Sequence, residues 1–282
     1  MTLPAWVRAL ESIDRGAYYL YRLHEIVRDE LLFGFLEPSA WAEMTDRAYA
    51  DLATYLPGGA RFEAGLFEWE DRALSAPPFP KTGRVLLGAA GGGRELRALL
   101  ERGFEVVAFE PNARLFAGAA DVARNHARGA IHRATYADLV HAVESGQGPL
   151  ASVAAGPTFD AVVLGWGSIT HLCDPSDHAR LFAALARLCP HAPILTSFYT
   201  RPEARPAGRS DRARSAIRSA LRLAGSRAHH GDELAYATAG GFAYCFSAAE
   251  VEALAAGAGY QVVSFAAEPF GHAVLAPVTA RT

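Results

Sequence analysis

The sequence has little that would mark a secreted, metal-binding or membrane protein. It has only three cysteines, widely spaced and never in a Cys-x-x-Cys pair, which favours reduced thiols in a cytosolic protein over disulfides or zinc. No other metal-ligand spacing is found. No apolar run approaches the roughly 18 residues of a membrane span, and charged residues near the N-terminus argue against a signal peptide. We therefore expect a cytoplasmic protein that has no metal site and does not enter a membrane.

Lysine is almost absent, and the arginines are unevenly distributed. Lys81 is the only lysine, and the net charge of −3 argues against non-specific binding of nucleic acid. Residues 1–80 hold 7 Arg against 13 Asp and Glu, net −6, whereas residues 201–227 hold 8 Arg against 2 acids, net +6. This basic segment could recruit an anionic acceptor, an acidic peptide or RNA. Alternatively it is an insertion helix whose arginines face water or pair with the acidic N-terminal region.

Residues 84–112 predict a strand, a glycine turn, a helix and a second strand. The apolar run at residues 85–87 ends at Gly88, and a glycine triplet follows at residues 91–93. Leucines then recur at helical spacing, and a second apolar run ends at Glu110. This order is typical of the first βαβ unit of a parallel sheet, in which a tight glycine turn follows the first strand.

The glycine turn and Glu110 together predict an adenosine site. Glycine allows positive φ and a close approach of the backbone to a ligand. Glu110 lies 22 residues after Gly88, close to the roughly 20 of adenosine-binding patterns, where a carboxylate accepts hydrogen bonds from ribose hydroxyls. The alternative for Glu110 is a surface acid at the end of a strand.

The turn reads Gly88-x-Ala90-x-Gly92, without the second glycine of the dinucleotide pattern. In this form it resembles the first motif of class I S-adenosylmethionine-dependent methyltransferases. The resemblance spans about residues 82–276 and includes residues 159–165 as the fourth strand and a closing strand pair. It implies a Rossmann-like α/β sheet, mostly parallel with an antiparallel last strand. It also implies S-adenosyl-L-methionine as cofactor and S-adenosyl-L-homocysteine as product.

The resemblance also implies which residues contact the cofactor. Asp138 stands where family members contact the adenine amine, although it could instead cap the following helix. Trp166 could wall the cofactor site, since an aromatic face suits a sulfonium cation, or it could simply pack within its loop. The predicted cofactor-binding residues are Gly88, Ala89, Ala90, Gly92, Glu110, Pro111, Asp138, Gly165 and Trp166.

His171 follows the fourth strand, where the methyl donor is expected. A hydroxyl acceptor must lose its proton, and histidine near neutrality suits a general base. The alternative is a histidine that caps a helix or bonds within its loop. His171 is the one predicted catalytic residue.

Residues 1–80 predict a helical cap or lid, joined by a proline-rich linker to a core at residues 81–282. A basic helical insertion is expected at about residues 200–241. Aromatic residues in the cap could line an acceptor site or form an apolar core. The candidates for substrate contact are Tyr18, Tyr19, His24 and Trp69.

Taken together, these features predict a methyltransferase acting on an oxygen or nitrogen of a small molecule or peptide, with natural-product biosynthesis one setting. An RNA-binding methyltransferase and a nucleotide-dependent oxidoreductase on the same sheet are the alternatives. The acceptor and the oligomeric state stay open, because specificity resides in loops and lids rather than in the fold.

Overall fold

A computed structural model describes residues 4–201, 208–226 and 233–278. The strands among these residues are β1 (Arg84–Gly88), β2 (Glu105–Phe109), β3 (Gly129–His132), β4 (Ala161–Leu164), β5 (Ile194–Ser197), β6 (Tyr199–Thr200), β7 (Leu234–Ala237), β8 (Gly241–Phe246), β9 (Tyr260–Ala266) and β10 (His272–Pro277). The helices are α1 (Ala5–Phe35), α2 (Pro38–Ala50), α3 (Ala60–Glu63), α4 (Glu68–Ser75), α5 (Arg94–Glu101), α6 (Ala113–Arg124), α7 (Tyr136–Ser145), α8 (Ala151–Ala154), α9 (Pro175–Leu188), α10 (Arg209–Leu223) and α11 (Ala248–Gly257). No described helix is both long and apolar enough to cross a membrane.

Seven strands form the central sheet, in the order β3-β2-β1-β4-β5-β10-β9. The first five are parallel, and β10 runs antiparallel to both β5 and β9. The inner strands are continuous apolar runs because helices cover both faces, as β4 illustrates with four buried residues in a row. The predicted fold class, a mostly parallel sheet with an antiparallel last strand, is confirmed.

The strand order reverses between β1 and β4, which places a crevice at their carboxyl ends. In open α/β sheets a ligand binds at such a switch point. The turn after β1, Glu110 after β2 and the loop after β4 meet here. The register aligns Gly88 with Phe109 on one side and with Leu164 on the other, so the three strands end at the same level.

The N-terminal segment covers this crevice. Helix α2 packs on β8, and the 3₁₀ turn Ala53–Tyr55 lies directly over the glycine turn. A Cβ built on Gly92 would lie 2.0 Å from the carbonyl oxygen of Tyr55, so only glycine fits at this contact. Helix α2 and the turn after it are thus the parts of the N-terminal region that lie over the crevice, and their action as a lid stays a prediction.

Residues 60–80 pack with the core. Phe62, Trp69 and Phe79 belong to the same buried hydrophobic cluster as Val85. The boundary predicted near residue 80 therefore falls within one packed unit, and the part of the N-terminal region that covers the crevice lies before it.

The basic segment includes α10, which packs against α1. Arg218 donates from Nε and Nη2 to the two oxygens of Glu30, each at 2.9 Å, and Glu30 is fully buried. Arg214 lies 3.5 Å from the same carboxylate. The expected pairing of basic helix and acidic N-terminal region is borne out. Other predicted members of the basic segment, at positions 205 and 227, lie outside the described residues.

Candidate active site

The glycine turn is held in place from below. The amide of Gly165 donates to the carbonyl oxygen of Gly88 at 2.7 Å, and the amide of Ala90 donates to that of Phe109 at 3.0 Å. The turn takes left-handed backbone at three positions, with φ of +51° at Ala89, +55° at Gly91 and +97° at Gly93. Only Ala89 carries a Cβ there, at a cost of about 1 kcal/mol. Three neighbouring strands therefore determine the shape of the turn.

Glu110 lies at the base of the crevice and is 4% exposed, so its interpretation as a surface acid is wrong. Its Oε2 accepts the amide of Gly91 at 2.8 Å and its Oε1 accepts the amide of Asn112 at 2.9 Å. Burial outweighs these two bonds and raises the pKa of Glu110 to about 7. Each carboxylate oxygen accepts more than one hydrogen bond, so both can receive a further donor from a ligand.

A cavity of about 550 Å³ opens above these residues, within the usual size of a small-molecule site. Most of the predicted cofactor and catalytic residues line it. These are Ala89, Ala90, Gly92, Glu110, Pro111, Trp166 and His171. Gly88 and Gly165 lie just beneath, bonded to each other through the backbone.

The remaining predicted residues lie elsewhere. Asp138 forms a capping box with Thr135, whose amide and hydroxyl both donate to its carboxylate at 2.8 Å, as the alternative interpretation expected. Tyr18, Tyr19 and His24 are exposed on α1, away from the cavity lining. Trp69 is buried and stacks on His272, with ring centroids 4.5 Å apart. None of these five predicted residues is among those that line the cavity.

Trp166 forms one wall of the cavity. Its ring packs against Phe67, with centroids 4.7 Å apart, and against Phe270 at 5.3 Å. Its amide donates to Glu95 Oε1 at 3.1 Å, which holds the loop after β4 against α5. Both proposed roles of Trp166, the wall and the packed loop residue, are thus compatible with its position.

His171 is held in one tautomer by its neighbours. Its Nδ1 lies 2.9 Å from the carbonyl oxygen of Phe242, which can only accept, so Nδ1 carries the proton. The other nitrogen, Nε2, is therefore unprotonated and accepts the hydroxyl of Tyr49 at 2.9 Å. Burial lowers the pKa of His171 and raises that of Tyr49, so both groups are neutral near pH 7.

A buried charge cluster lies at the start of α5, next to the glycine turn. Arg94 forms two bonds of 2.6 Å to Glu70 and one of 2.6 Å to Glu95. Its guanidinium stacks over Phe67 at 4.2 Å. Nη1 of Arg94 also donates to the carbonyl oxygen of Gly65 at 2.6 Å, so the protein itself occupies four of the five N–H groups of this guanidinium. Arg94 and Glu95 both line the cavity, where the carboxylate of Glu95 is the charged group that a ligand ammonium could meet.

Several cavity residues were missed by sequence reasoning. Asp46, Tyr49 and Tyr55 come from the covering segment, and Arg94 and Glu95 open α5. Asp46 and Tyr49 are three positions apart, on one face of α2, which is the kind of spacing that could have indicated a common role. Arg94 and Glu95 directly follow the glycine turn, a position that by itself favours contact with a ligand.

Comparisons with known proteins support the fold. No protein-family model matches the sequence, and no curated protein matches it. Among solved structures, DesVI of Streptomyces venezuelae is 18% identical, over 77% of this chain and 92% of that one, with a TM-score of 0.50. CalS10 of Micromonospora echinaspora, an amino pentose methyltransferase involved in calicheamicin biosynthesis, is 20% identical, over 77% and 94%, with a TM-score of 0.50. The chain has the fold of class I S-adenosylmethionine-dependent methyltransferases.

Proposed function

We propose that the protein is an S-adenosyl-L-methionine-dependent methyltransferase that acts on an oxygen or nitrogen of a small molecule or peptide. One observation carries the proposal: Glu110, buried at the end of β2, is bonded to the glycine turn that follows β1 and faces a cavity at the switch point of the sheet. The fold, shared with DesVI and CalS10, supports the same conclusion.

The residues present fit this cofactor. Glu110 would accept the two ribose hydroxyls through the lone pairs left by Gly91 and Asn112. Glu95 would hold the ammonium of the amino-acid end. When bound, S-adenosyl-L-methionine supplies an electrophilic methyl group on a sulfonium. The aromatic wall of Trp166 suits that cation, since the face of an indole attracts positive charge.

The acceptor would lie between the sheet and the covering segment. Asp46 and Tyr49 of α2 and His171 of the loop after β4 close this part of the cavity. Methyl transfer to an oxygen or nitrogen atom depends mainly on alignment, which this enclosure would provide. Asp46 gives the enclosure negative charge beside Glu110, and this charge would favour a cationic or hydroxyl-rich acceptor over an anionic one.

Tyr49 and His171 would remove the acceptor's proton. The acceptor's proton would pass to the Tyr49 oxygen and the Tyr49 proton to His171 Nε2, as the acceptor gains the methyl group and the methyl–sulfur bond breaks to leave S-adenosyl-L-homocysteine. Phe242 accepts the Nδ1–H of the resulting imidazolium. The neutral, bonded pair starts in the protonation state that this transfer needs.

Neither alternative has a supporting observation of equal weight. For RNA, three of the described arginines of the basic segment are already paired: Arg214 and Arg218 with Glu30, and Arg201 with Glu250. For a nicotinamide dinucleotide, the turn lacks the second glycine of the usual pattern, and buried Ala90 occupies that position.

Calorimetric titration with S-adenosyl-L-homocysteine, NADH and a short RNA tests the proposal. We expect S-adenosyl-L-homocysteine to bind, and Glu110→Ala to weaken its binding about 10- to 150-fold, from the loss of about 1.5–3 kcal/mol of charge-assisted bonding. Glu105→Ala is the matched control, because Glu105 is an exposed glutamate at the other end of the same strand. Tighter binding of NADH or RNA, or an equal loss in both variants, would contradict the proposal.

A further inference from the structure

Helix α1 carries a continuous apolar stripe that the described part of the chain leaves uncovered. Successive residues of the stripe are four and then three positions apart, in alternation, and His24 is the one polar residue among them. We call this stripe the seam. It consists of Trp6, Leu10, Ile13, Ala17, Leu20, His24, Val27 and Leu31. A repeat of 3.5 residues sustained over this length is typical of a helix that packs along another helix.

The seam lies on the side of α1 that faces away from the rest of the protein. The face of α1 that packs on the body is formed by Ile26, Asp29, Glu30 and Phe33, all buried. At about 100° per residue, the centre of the seam is roughly 160° from the centre of that face. The seam is accordingly exposed, with Trp6 at 67%, Ile13 at 65% and Leu20 at 71%.

The N-terminal part of α1 has little other support. Every residue from 4 to 24 is exposed except Val7, which is half-buried. An isolated helix of this length is marginal in water, because most helical stability in proteins comes from packing of an amphipathic face. The extended helix therefore requires a surface against which its apolar stripe packs.

We propose that this surface is the seam of a second copy, so that the protein is a dimer joined through α1. The side chains that would be covered are Trp6, Leu10, Ile13, Leu20, Tyr21 and Leu23, each between 47% and 71% exposed. With the two aromatic side chains taken at about 150–250 Å² each and the four aliphatic ones at roughly 100–150 Å², they offer on the order of 500–600 Å² per helix. A stable interface buries about 800 Å² per partner.

Charge also favours a second copy. Between Trp6 and His24, the positions on either side of the seam are residues 7, 9, 14, 16, 21 and 23. Asp14 is the one ionised side chain among them. The arginines Arg8, Arg15 and Arg22 lie on the opposite side of the helix. Two seams can therefore meet with little repulsion between like charges. Residues 4–25 carry three arginines against three acids, so they lack the net positive charge with which helices bind anionic membranes.

Light scattering on the full chain, from low to high micromolar concentration, tests the proposal. We expect the wild type to have the mass of two chains. Ile13→Asp combined with Leu20→Asp places two carboxylates in the seam and should raise the dissociation constant on the order of 100-fold or more. The matched control, Ser12→Asp with Tyr19→Asp, changes the adjacent positions outside the seam and should stay dimeric.

Thermal unfolding and S-adenosyl-L-homocysteine binding of both variants report whether the body stays folded, independently of the mass. A wild type that is monomeric at every concentration would overturn the proposal, as would a seam variant that remains a dimer. A monomer in solution that sediments with anionic phospholipid vesicles, and ceases to do so in the seam variant, would also overturn it in favour of a membrane surface.

Discussion

Cofactor binding should depend on the ionisation of Glu110. Burial raises the pKa of this carboxyl to about 7 in the free protein. Ribose hydroxyls donate to the carboxylate, so the ionised form is the one that binds. With a pKa of about 7, roughly a tenth of the molecules are ionised at pH 6 and about nine-tenths at pH 8. Because apparent affinity scales with the competent fraction, S-adenosyl-L-homocysteine should bind about tenfold more tightly at pH 8 than at pH 6.

The same shift affects the stability of the free protein. The folded state holds the Glu110 proton more tightly than the unfolded state does, because the folded pKa is raised above the ordinary value of 4.5. The resulting stabilisation is fully present below pH 4.5 and is lost as the pH rises through 7. At about 1.4 kcal/mol per pKa unit, the loss is about 3 kcal/mol. Because S-adenosyl-L-homocysteine should bind more tightly at pH 8, it should raise the melting temperature more at pH 8 than at pH 6.

Calorimetric titration in buffers of different ionisation enthalpy measures the affinity at each pH and the number of protons released on binding. At pH 7, binding should release about half a proton per site, since the carboxyl is about half protonated before binding. Glu110→Gln cannot ionise and should bind weakly, without this proton release. A wild-type affinity that is equal at pH 6 and pH 8, with no proton released, would refute the assignment of Glu110 as the ribose ligand.

Three further outcomes follow from the packing. Gly92→Ala should weaken S-adenosyl-L-homocysteine binding in a titration, because its Cβ would meet a carbonyl oxygen at 2.0 Å and displace the covering turn. Gly91→Ala, whose Cβ would meet no atom and would add only the strain of a φ of +55°, should weaken it less. Tyr49→Phe should lower kcat about 10²–10⁴-fold with unchanged cofactor affinity, and a loss below tenfold would rule out proton transfer through Tyr49 to His171. Arg218→Met should lower the free energy of unfolding, measured with a chemical denaturant, by about 3–5 kcal/mol, because the buried carboxylate of Glu30 loses two hydrogen bonds. A decrease below about 1 kcal/mol would contradict a buried ion pair.

Much of the cofactor half of the site was predictable because its signals are local. The strand, the glycine turn and Glu110 lie within 27 residues, from Arg84 to Glu110. Apolar periodicity reports which face of an element is buried, and glycine reports where the backbone needs positive φ. The ends of adjacent parallel strands must then meet at one edge of the sheet, so the order of elements along the chain already placed Glu110 beside the turn.

The covering half depended on contacts between distant parts of the chain. Tyr49 and His171 are separated by 122 positions, and no pattern within α2 indicates that Tyr49 would meet His171. The aromatic candidates chosen there, Tyr18 and Tyr19, lie on exposed α1 instead. Residue type and spacing show that a helix has an apolar face, but which helix covers the crevice is decided by packing against β8.

The sequence by itself thus determined the buried strands, the glycine turn and the acid beside it, because burial periodicity and the position of glycine are local properties of the chain. Its resemblance to class I methyltransferases indicated the antiparallel end. Only the tertiary structure decided that α2 rather than α1 closes the cavity, that Asp138 caps α7, and that Arg218 meets Glu30. These outcomes depend on how surfaces far apart in the chain fit together, a property of shape and charge in three dimensions that no local pattern carries.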